Sequence, residues 1–178
     1  MNVLEHLEPK SVFRFFEEMC AIPHGSRNTK AVSDWCADFA RARGLEYHQD
    51  GDNNIIIIKE AAPGYEAAPP VILQGHLDMV CEQTADCQKD MSREGLDLAV
   101  DGDFVYAKGT TLGGDDGIAV AMALALLDAE GLPHPRLEAV FTVDEEIGLL
   151  GAASIDVTPL KGRQMLNLDS EAEGIFTV

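Results

Sequence analysis

Three short stretches rich in apolar residues constrain the fold of this chain more than any other feature. "VILQGHLD" (residues 71–78), "LEAVFTV" (137–143) and "MLNLD" (165–169) each have the length of a β-strand. The first is apolar nearly throughout, which is typical of a strand that is covered on both faces. Because segments with helical periodicity separate the strands, the sequence predicts a three-layer α/β domain.

The remaining segments fill out this architecture. Residues 9–20 and about 28–43 carry apolar side chains at helical spacing, and each has one inner stripe. A third helix, from about Asp116 to Gly131, contains "IAVAMALALL" and is apolar nearly all round, which predicts that it is buried. "LEYHQ" and "NIIIIKE" flank "DGDN" as a β-hairpin, two short strands surround "DGDF", and "GIFTV" (174–178) is expected to begin a further strand.

Composition narrows the class of protein. A chain of 178 residues with 46% apolar residues suits one domain with a core, and no linker is visible. The net charge of −18 disfavours nucleic acid and anionic membrane surfaces as partners. No signal peptide is visible, and the longest apolar run (118–127) is too short to span a bilayer. The 4 cysteines form no C-x-x-C pair, so we expect reduced, mostly buried thiols in a cytoplasmic protein.

Polar side chains collect where the predicted strands end and where the third helix begins. In open α/β sheets, ligands bind at the carboxyl ends of the strands, so these side chains are expected at one rim of the sheet. They are His76, Asp78, Asp115, Asp116, Glu145, Glu146 and Asp169.

Each of these residues also has an ordinary structural explanation. Asp115 and Asp116 are favourable anions at a helix N-terminus, the glutamates could be solvated, and His76 could be a core histidine. Together, however, carboxylates at one rim repel each other unless cations neutralise them or protons are taken up. One histidine with three or more carboxylates suits zinc or a similar divalent ion. The acidic turns lack the pattern of an EF-hand, and a phosphate ligand would be repelled.

The spacing of these residues suggests which of them bind metal and which assist a ligand or a water molecule. His76 and Asp78 lie two apart on a strand and therefore share a face, so Asp78 can accept a hydrogen bond from the second ring nitrogen of His76. The adjacent Glu145 and Glu146 suit one carboxylate that binds metal and one that lies beside a metal-activated water.

Four motifs around these residues resemble those of a known family. "HLDMV", "GTTLGGDDG", "DEEIGLLGA" and "NLDSEAEG", in this order, resemble the aminoacyl-histidine dipeptidases, which are co-catalytic zinc peptidases. The segments "SVFRFFEEMCAIPHGS" and "DGDNNIIIIK" also resemble the opening of that family. The resemblance covers essentially the whole chain and implies the family's catalytic domain.

The resemblance implies a role for each site residue. Two zinc ions are expected, with cobalt or manganese as alternatives, and the peptide after Asp115 is expected to be cis. The implied metal ligands are His76, Asp115 (bridging both ions), Glu146 and Asp169. Glu145 is implied as the general base, and Asp78 as the support of His76.

The resemblance also implies what this chain does not contain. The family has one more ligand histidine far downstream, and none of His6, His24, His48 or His134 matches it. Residues 1–178 therefore correspond to the N-terminal part of the catalytic domain, without the lid and dimerisation domain and without the C-terminal catalytic segment. His24 is expected to be structural.

The implied activity is hydrolysis of dipeptides, including β-alanyl-histidine and other Xaa-His peptides, by an intact protein that forms a homodimer. By this resemblance the 178-residue chain alone is expected to be inactive. A related amide hydrolase such as a tripeptidase, acylase or carboxypeptidase, or a non-catalytic metal-binding remnant, remain the alternatives.

Overall fold

A five-stranded mixed sheet lies at the centre of the structure, a computed structural model that describes residues 3–170, 174, 175, 177 and 178. The strand order is β1-β2-β6-β3-β7, in which β1 and β2 form the predicted antiparallel hairpin and β3 is parallel to both β6 and β7. A separate hairpin of β4 and β5 carries "DGDF" at its turn. The strands are β1 (Glu46–Gln49), β2 (Ile55–Lys59), β3 (Val71–His76), β4 (Leu98–Asp101), β5 (Phe104–Ala107), β6 (Leu137–Thr142) and β7 (Gln164–Asn167).

The isoleucine run of β2 shows how the sheet is covered on both faces. Successive side chains of a strand point to opposite faces. Ile55 and Ile57 therefore belong to the large hydrophobic core, whereas Ile56 and Ile58 join a smaller cluster with Val140 on the other face. All four are buried, which the sequence analysis did not predict for this hairpin strand.

Three helices cover the large core: α1 (Lys10–Cys20), α2 (Lys30–Ala42) and α3 (Gly114–Asp128). The rings of Phe15 in α1 and Phe39 in α2 meet edge to face, with their centroids 5.4 Å apart. The segment that follows the short helix α4 (Leu150–Ser154) contributes Ile155 and Leu160 to the smaller cluster on the opposite face. The α/β class predicted from the sequence is confirmed.

Some local predictions differ from the structure. Met122 and Leu126 of α3 are 40% and 37% exposed, because this side of the helix faces away from the sheet and carries no covering element among the described residues. The short helix α4 was not predicted. Residue 176 of the expected strand 174–178 lies outside the described residues, and residues 174, 175, 177 and 178 form no strand.

The cysteines follow the prediction in part. All four are free, and Cys20 and Cys36 are buried, whereas Cys81 is exposed. Burial raises the pKa of the Cys20 thiol to about 12, so this side chain acts as a small apolar group in the core.

None of the helices in the described part of the chain is long and apolar enough to cross a membrane.

Candidate metal centre

The predicted site residues lie together at the carboxyl ends of the parallel strands. His76 is the last residue of β3, and Glu145 follows β6 after a short turn. Asp169 follows β7, and Asp115 stands in the first turn of α3. Parallel strands end at the same edge of a sheet, so sequence positions that are far apart meet there.

His76 is the centre of the cluster. Its ring is buried, with Nδ1 at 2.9 Å from the main-chain oxygen of Asp78 and 3.4 Å from the Asp78 carboxylate. Its Nε2 lies 3.1 Å from Oδ1 of Asp115 and 3.9 Å from Oε2 of Glu145. The predicted support by Asp78 therefore involves its carbonyl more closely than its carboxylate, and Nε2 is left facing the acidic residues.

Two sets of donor atoms converge on this imidazole. One set comprises His76, Asp115 and Glu146, and the other comprises His76, Glu145 and Asp169; within each set the donor atoms all lie within 4.8 Å of one another. All four predicted ligands thus lie close together, and so does the predicted base. Within the described residues, neither set contains a second histidine.

The charges at this rim are strongly coupled. Burial opposes protonation of His76, but its hydrogen bond to Asp78 and the negative charge of Asp116 outweigh burial and raise its pKa to about 9. Burial, followed by the charge of Asp115, raises the pKa of Glu146. The side chains therefore favour uptake of positive charge, and one imidazole with several carboxylates is a donor set that fits a divalent cation such as zinc.

The two adjacent aspartates have different surroundings. Both depart from helical backbone angles within α3, and the peptide bond between them is cis, as the resemblance implied. The Asp115 side chain is 70% exposed, whereas Asp116 is buried and its Oδ2 accepts a hydrogen bond from the main-chain N–H of His76 at 3.2 Å. Burial, with the charges of Asp169 and Asp115, raises the pKa of Asp116 to about 7.

A glycine permits this arrangement. A Cβ on Gly75 would lie 2.8 Å from Oδ2 of Asp116 and 3.4 Å from the side chain of Ala119. Only a residue without a side chain therefore lets the start of α3 lie against β3 at this point. Asp116 attaches α3 to β3, and this leaves Asp115 at the rim beside His76.

Asp78 has contacts that the sequence did not reveal. Its side chain is fully buried, its Oδ1 accepts a hydrogen bond from the main-chain N–H of Glu145 at 3.0 Å, and its Oδ2 accepts one from the Ser26 hydroxyl at 2.7 Å. Ser26 lies 52 residues before Asp78, and a single serine carries no periodic or motif signal.

Comparison with known proteins relates the chain to peptidases. A profile of the peptidase family M20/M25/M40 matches residues 72–169, which include every predicted metal ligand. The chain is 37% identical to the cytosol non-specific dipeptidase of Escherichia coli strain K12 over 98% of its own length. Its structure matches that of an aminoacylhistidine dipeptidase from Vibrio alginolyticus with a TM-score of 0.92 and 38% identity over 96% of the chain.

A more distant similarity bears on the fold alone. A tripeptidase from Staphylococcus aureus matches with a TM-score of 0.75 and 22% identity, covering 92% of this chain and 44% of that one. The chain spans only about a third of the two dipeptidases, 36% of the Escherichia coli protein and 35% of the Vibrio alginolyticus one.

Proposed function

We propose, because the chain belongs to the peptidase family M20/M25/M40, that it carries most of a metal centre that hydrolyses dipeptides. The convergence of imidazole and carboxylate donors on His76 is the observation that supports this proposal most directly. Four carboxylates from three separate segments lie around one buried imidazole, and a bound cation would offset their mutual repulsion.

We propose zinc as the metal, with cobalt or manganese as alternatives. In this proposal His76, Asp115, Glu146 and Asp169 would hold the metal, the roles that the resemblance implies for them. The exposed carboxylate of Asp115 and its proximity to His76 and Glu146 support the assignment of these three residues. Asp169 lies near His76 in the second set of donor atoms, together with Glu145. When bound, zinc polarises a carbonyl oxygen and makes a water molecule more acidic.

Glu145 is proposed as the general base. Its carboxylate lies 3.9 Å from Nε2 of His76, its side chain is 27% exposed, and its main-chain N–H is held by Asp78. The carboxylate can therefore reach both the ligand cluster and a substrate in solvent. It would take a proton from the attacking water and return it to the leaving amine. His76 keeps its ring orientation through the contact of Nδ1 with Asp78.

The proposed substrates are unblocked dipeptides, with preference for those that end in histidine, including β-alanyl-histidine. This specificity rests on the motif resemblance and on the similarity to the Vibrio alginolyticus enzyme. We further propose that the intact protein is a homodimer, as the motif resemblance implies. We also propose a cytoplasmic location, in keeping with the word "cytosol" in the name of the Escherichia coli relative.

A substrate panel tests the proposed specificity. We expect the active protein to hydrolyse Xaa-His dipeptides with a higher kcat/KM than tripeptides or N-acyl amino acids. Matched Xaa-Ala dipeptides serve as the control for a general dipeptidase. Faster cleavage of tripeptides or N-acyl amino acids would place the protein with the tripeptidases or acylases of the family instead.

A non-catalytic metal-binding role is the other alternative. It predicts that zinc binds to His76 and its neighbours while no peptide or acyl-amino-acid substrate is turned over, even by the longest form of the protein. Hydrolysis that depends on added zinc and is lost on chelation would exclude it.

A further inference from the structure

The loop between α1 and α2 reaches the metal centre although none of its residues belongs to the proposed ligands. Gly25 forms an isolated parallel bridge with Met79, and the main-chain N–H of Met79 donates to the oxygen of His24 at 3.2 Å. A Cβ on Gly25 would lie 2.5 Å from Sγ of Cys81, so the close approach of the loop depends on this glycine. The loop therefore lies directly against the segment that carries Asp78.

Two hydrogen bonds connect this loop to the site. The hydroxyl of Ser26 donates to Oδ2 of Asp78 at 2.7 Å, and the main-chain N–H of Arg27 donates to Oδ1 of Asp144 at 2.6 Å. Arg27 and Asp144 both have left-handed backbone, with φ of 66° and 54°, which is uncommon for residues other than glycine. Asp144 directly precedes Glu145, so the second hydrogen bond ends next to the proposed base, whereas the first ends at Asp78.

Asp78 connects Ser26 to Glu145 and His76. Its Oδ2 accepts from Ser26, and its Oδ1 accepts from the main-chain N–H of Glu145 at 3.0 Å and faces Nδ1 of His76. Among the described residues, Ser26 supplies the only side-chain hydrogen bond to Oδ2. Without it, the carboxylate can rotate about its terminal torsion, which is soft, and the hydrogen bond to Glu145 weakens.

We propose that Ser26 is a positioning residue of the metal centre. By fixing the Asp78 carboxylate, it holds the main-chain N–H of Glu145 and the imidazole of His76 in place. This rests on the proposed function, since it assigns to Ser26 a role in the same site. A half-buried serine that only satisfies a polar neighbour would stabilise the fold without affecting Glu145, so the two roles can be separated.

Amide hydrogen exchange of Glu145 tests the proposal without metal. In Ser26→Ala we expect the Glu145 N–H to exchange about fivefold faster, which corresponds to the loss of one net hydrogen bond. Ser26→Thr retains a hydroxyl and should restore slow exchange. Ser33→Ala is the matched control, because Ser33 is buried and accepts one side-chain hydrogen bond, from Gln49 at 2.8 Å, away from the site.

Zinc affinity provides a second measurement. Replacing the hydrogen-bond partner of a metal ligand typically lowers metal affinity by about 10–100-fold. Ser26 acts on His76 through Asp78, so Ser26→Ala should weaken zinc binding by about tenfold, the low end of this range, while Ser33→Ala leaves it unchanged. Unchanged Glu145 exchange in Ser26→Ala, or an equal loss of zinc affinity in both variants, would overturn the proposal. A parent chain that binds no zinc would instead refute the proposed function, and the exchange measurement would still decide the role of Ser26.

Discussion

Glu145 and Glu146 are sequence neighbours whose carboxylates meet different partners. Glu146 groups with His76 and Asp115, and burial together with the charge of Asp115 raises its pKa. Glu145 groups with His76 and Asp169, and its backbone is anchored on Asp78. Adjacent residues in a turn point in different directions. Of the pair, Glu146 can therefore be the proposed metal ligand while Glu145 is the proposed base.

Replacing Glu145 with Gln in the active protein should separate these roles. The amide keeps the size of the side chain but cannot take up a proton, so turnover should fall about 10²–10⁴-fold while zinc content stays nearly intact. Metal analysis and steady-state kinetics on a dipeptide measure both quantities. Glu146→Gln is the matched control and should lose zinc first; loss of zinc in Glu145→Gln would show that Glu145 is a ligand.

At the scale of elements, α3 connects the metal centre to the far side of the domain. Its first turn carries Asp115, and its last residue, Asp128, accepts hydrogen bonds from Arg43 and Arg14 at 2.7 and 2.6 Å. Lys59 of β2 donates to the main-chain oxygens of Leu126 and Ala129, at the end of the helix where carbonyl groups lack helical partners. Cationic side chains thus hold the C-terminal end of the helix that carries Asp115.

Asp128 makes this anchoring dependent on pH. Partial burial opposes ionisation, but the hydrogen bonds from Arg43 and Arg14 outweigh burial and lower its pKa. A carboxyl whose folded pKa is below the unfolded value, about 3.9, stabilises the fold above that value and loses its contribution as the pH falls through the folded pKa.

Asp128→Asn should therefore lower the free energy of unfolding by about 1 kcal/mol at pH 7, and the difference from the parent should shrink as the solution is acidified. Urea denaturation at a series of pH values measures this. Asp38→Asn, which removes an exposed ion pair with Arg41 on α2, should have a smaller effect. A difference that stays constant through the acid range would mean that the charge of Asp128 contributes nothing.

At the scale of the whole molecule, acidic charge and unpaired apolar surface coexist. The net charge is −18, and part of it is concentrated at the metal centre. Met165 and Leu166 of the edge strand β7 are 60% and 57% exposed, and the stripe of α3 with Met122 and Leu126 is also accessible. Exposed apolar surface next to an edge strand favours association with other chain segments.

We expect the 178-residue chain by itself to hold about one zinc ion tightly and to have negligible peptidase activity. In the division of ligands that the resemblance implies, His76, Asp115 and Asp169 would serve one ion. Among the described residues only Asp115 and Glu146 would serve the second, one fewer than a catalytic zinc normally has. Metal analysis after dialysis, paired with a dipeptide assay, measures both. Two tightly bound zinc ions with robust turnover would mean that another residue, or a second chain, completes the site.

The sequence alone determined much of this protein, because the relevant signals are local. The nearly all-apolar run 71–78 predicted a strand covered on both faces. Acidic or histidine residues after the core strands were expected to meet at one edge of the sheet. The motifs from "HLDMV" to "NLDSEAEG" predicted, through the resemblance, which residues are candidate ligands and which is the candidate base. These patterns are short and periodic, so the chain itself displays them.

The tertiary structure alone decided which groups touch. Asp78 faces His76 more closely through its carbonyl than through its carboxylate, and its Oδ2 is held by Ser26 from a loop 52 residues earlier in the chain. Asp116, next to the exposed Asp115, is buried because Gly75 lets α3 approach β3. Whether a hydrogen bond forms depends on differences of tenths of an ångström in the separation of donor and acceptor. Only packing brings these segments together, and no periodicity in the sequence encodes the distance between them.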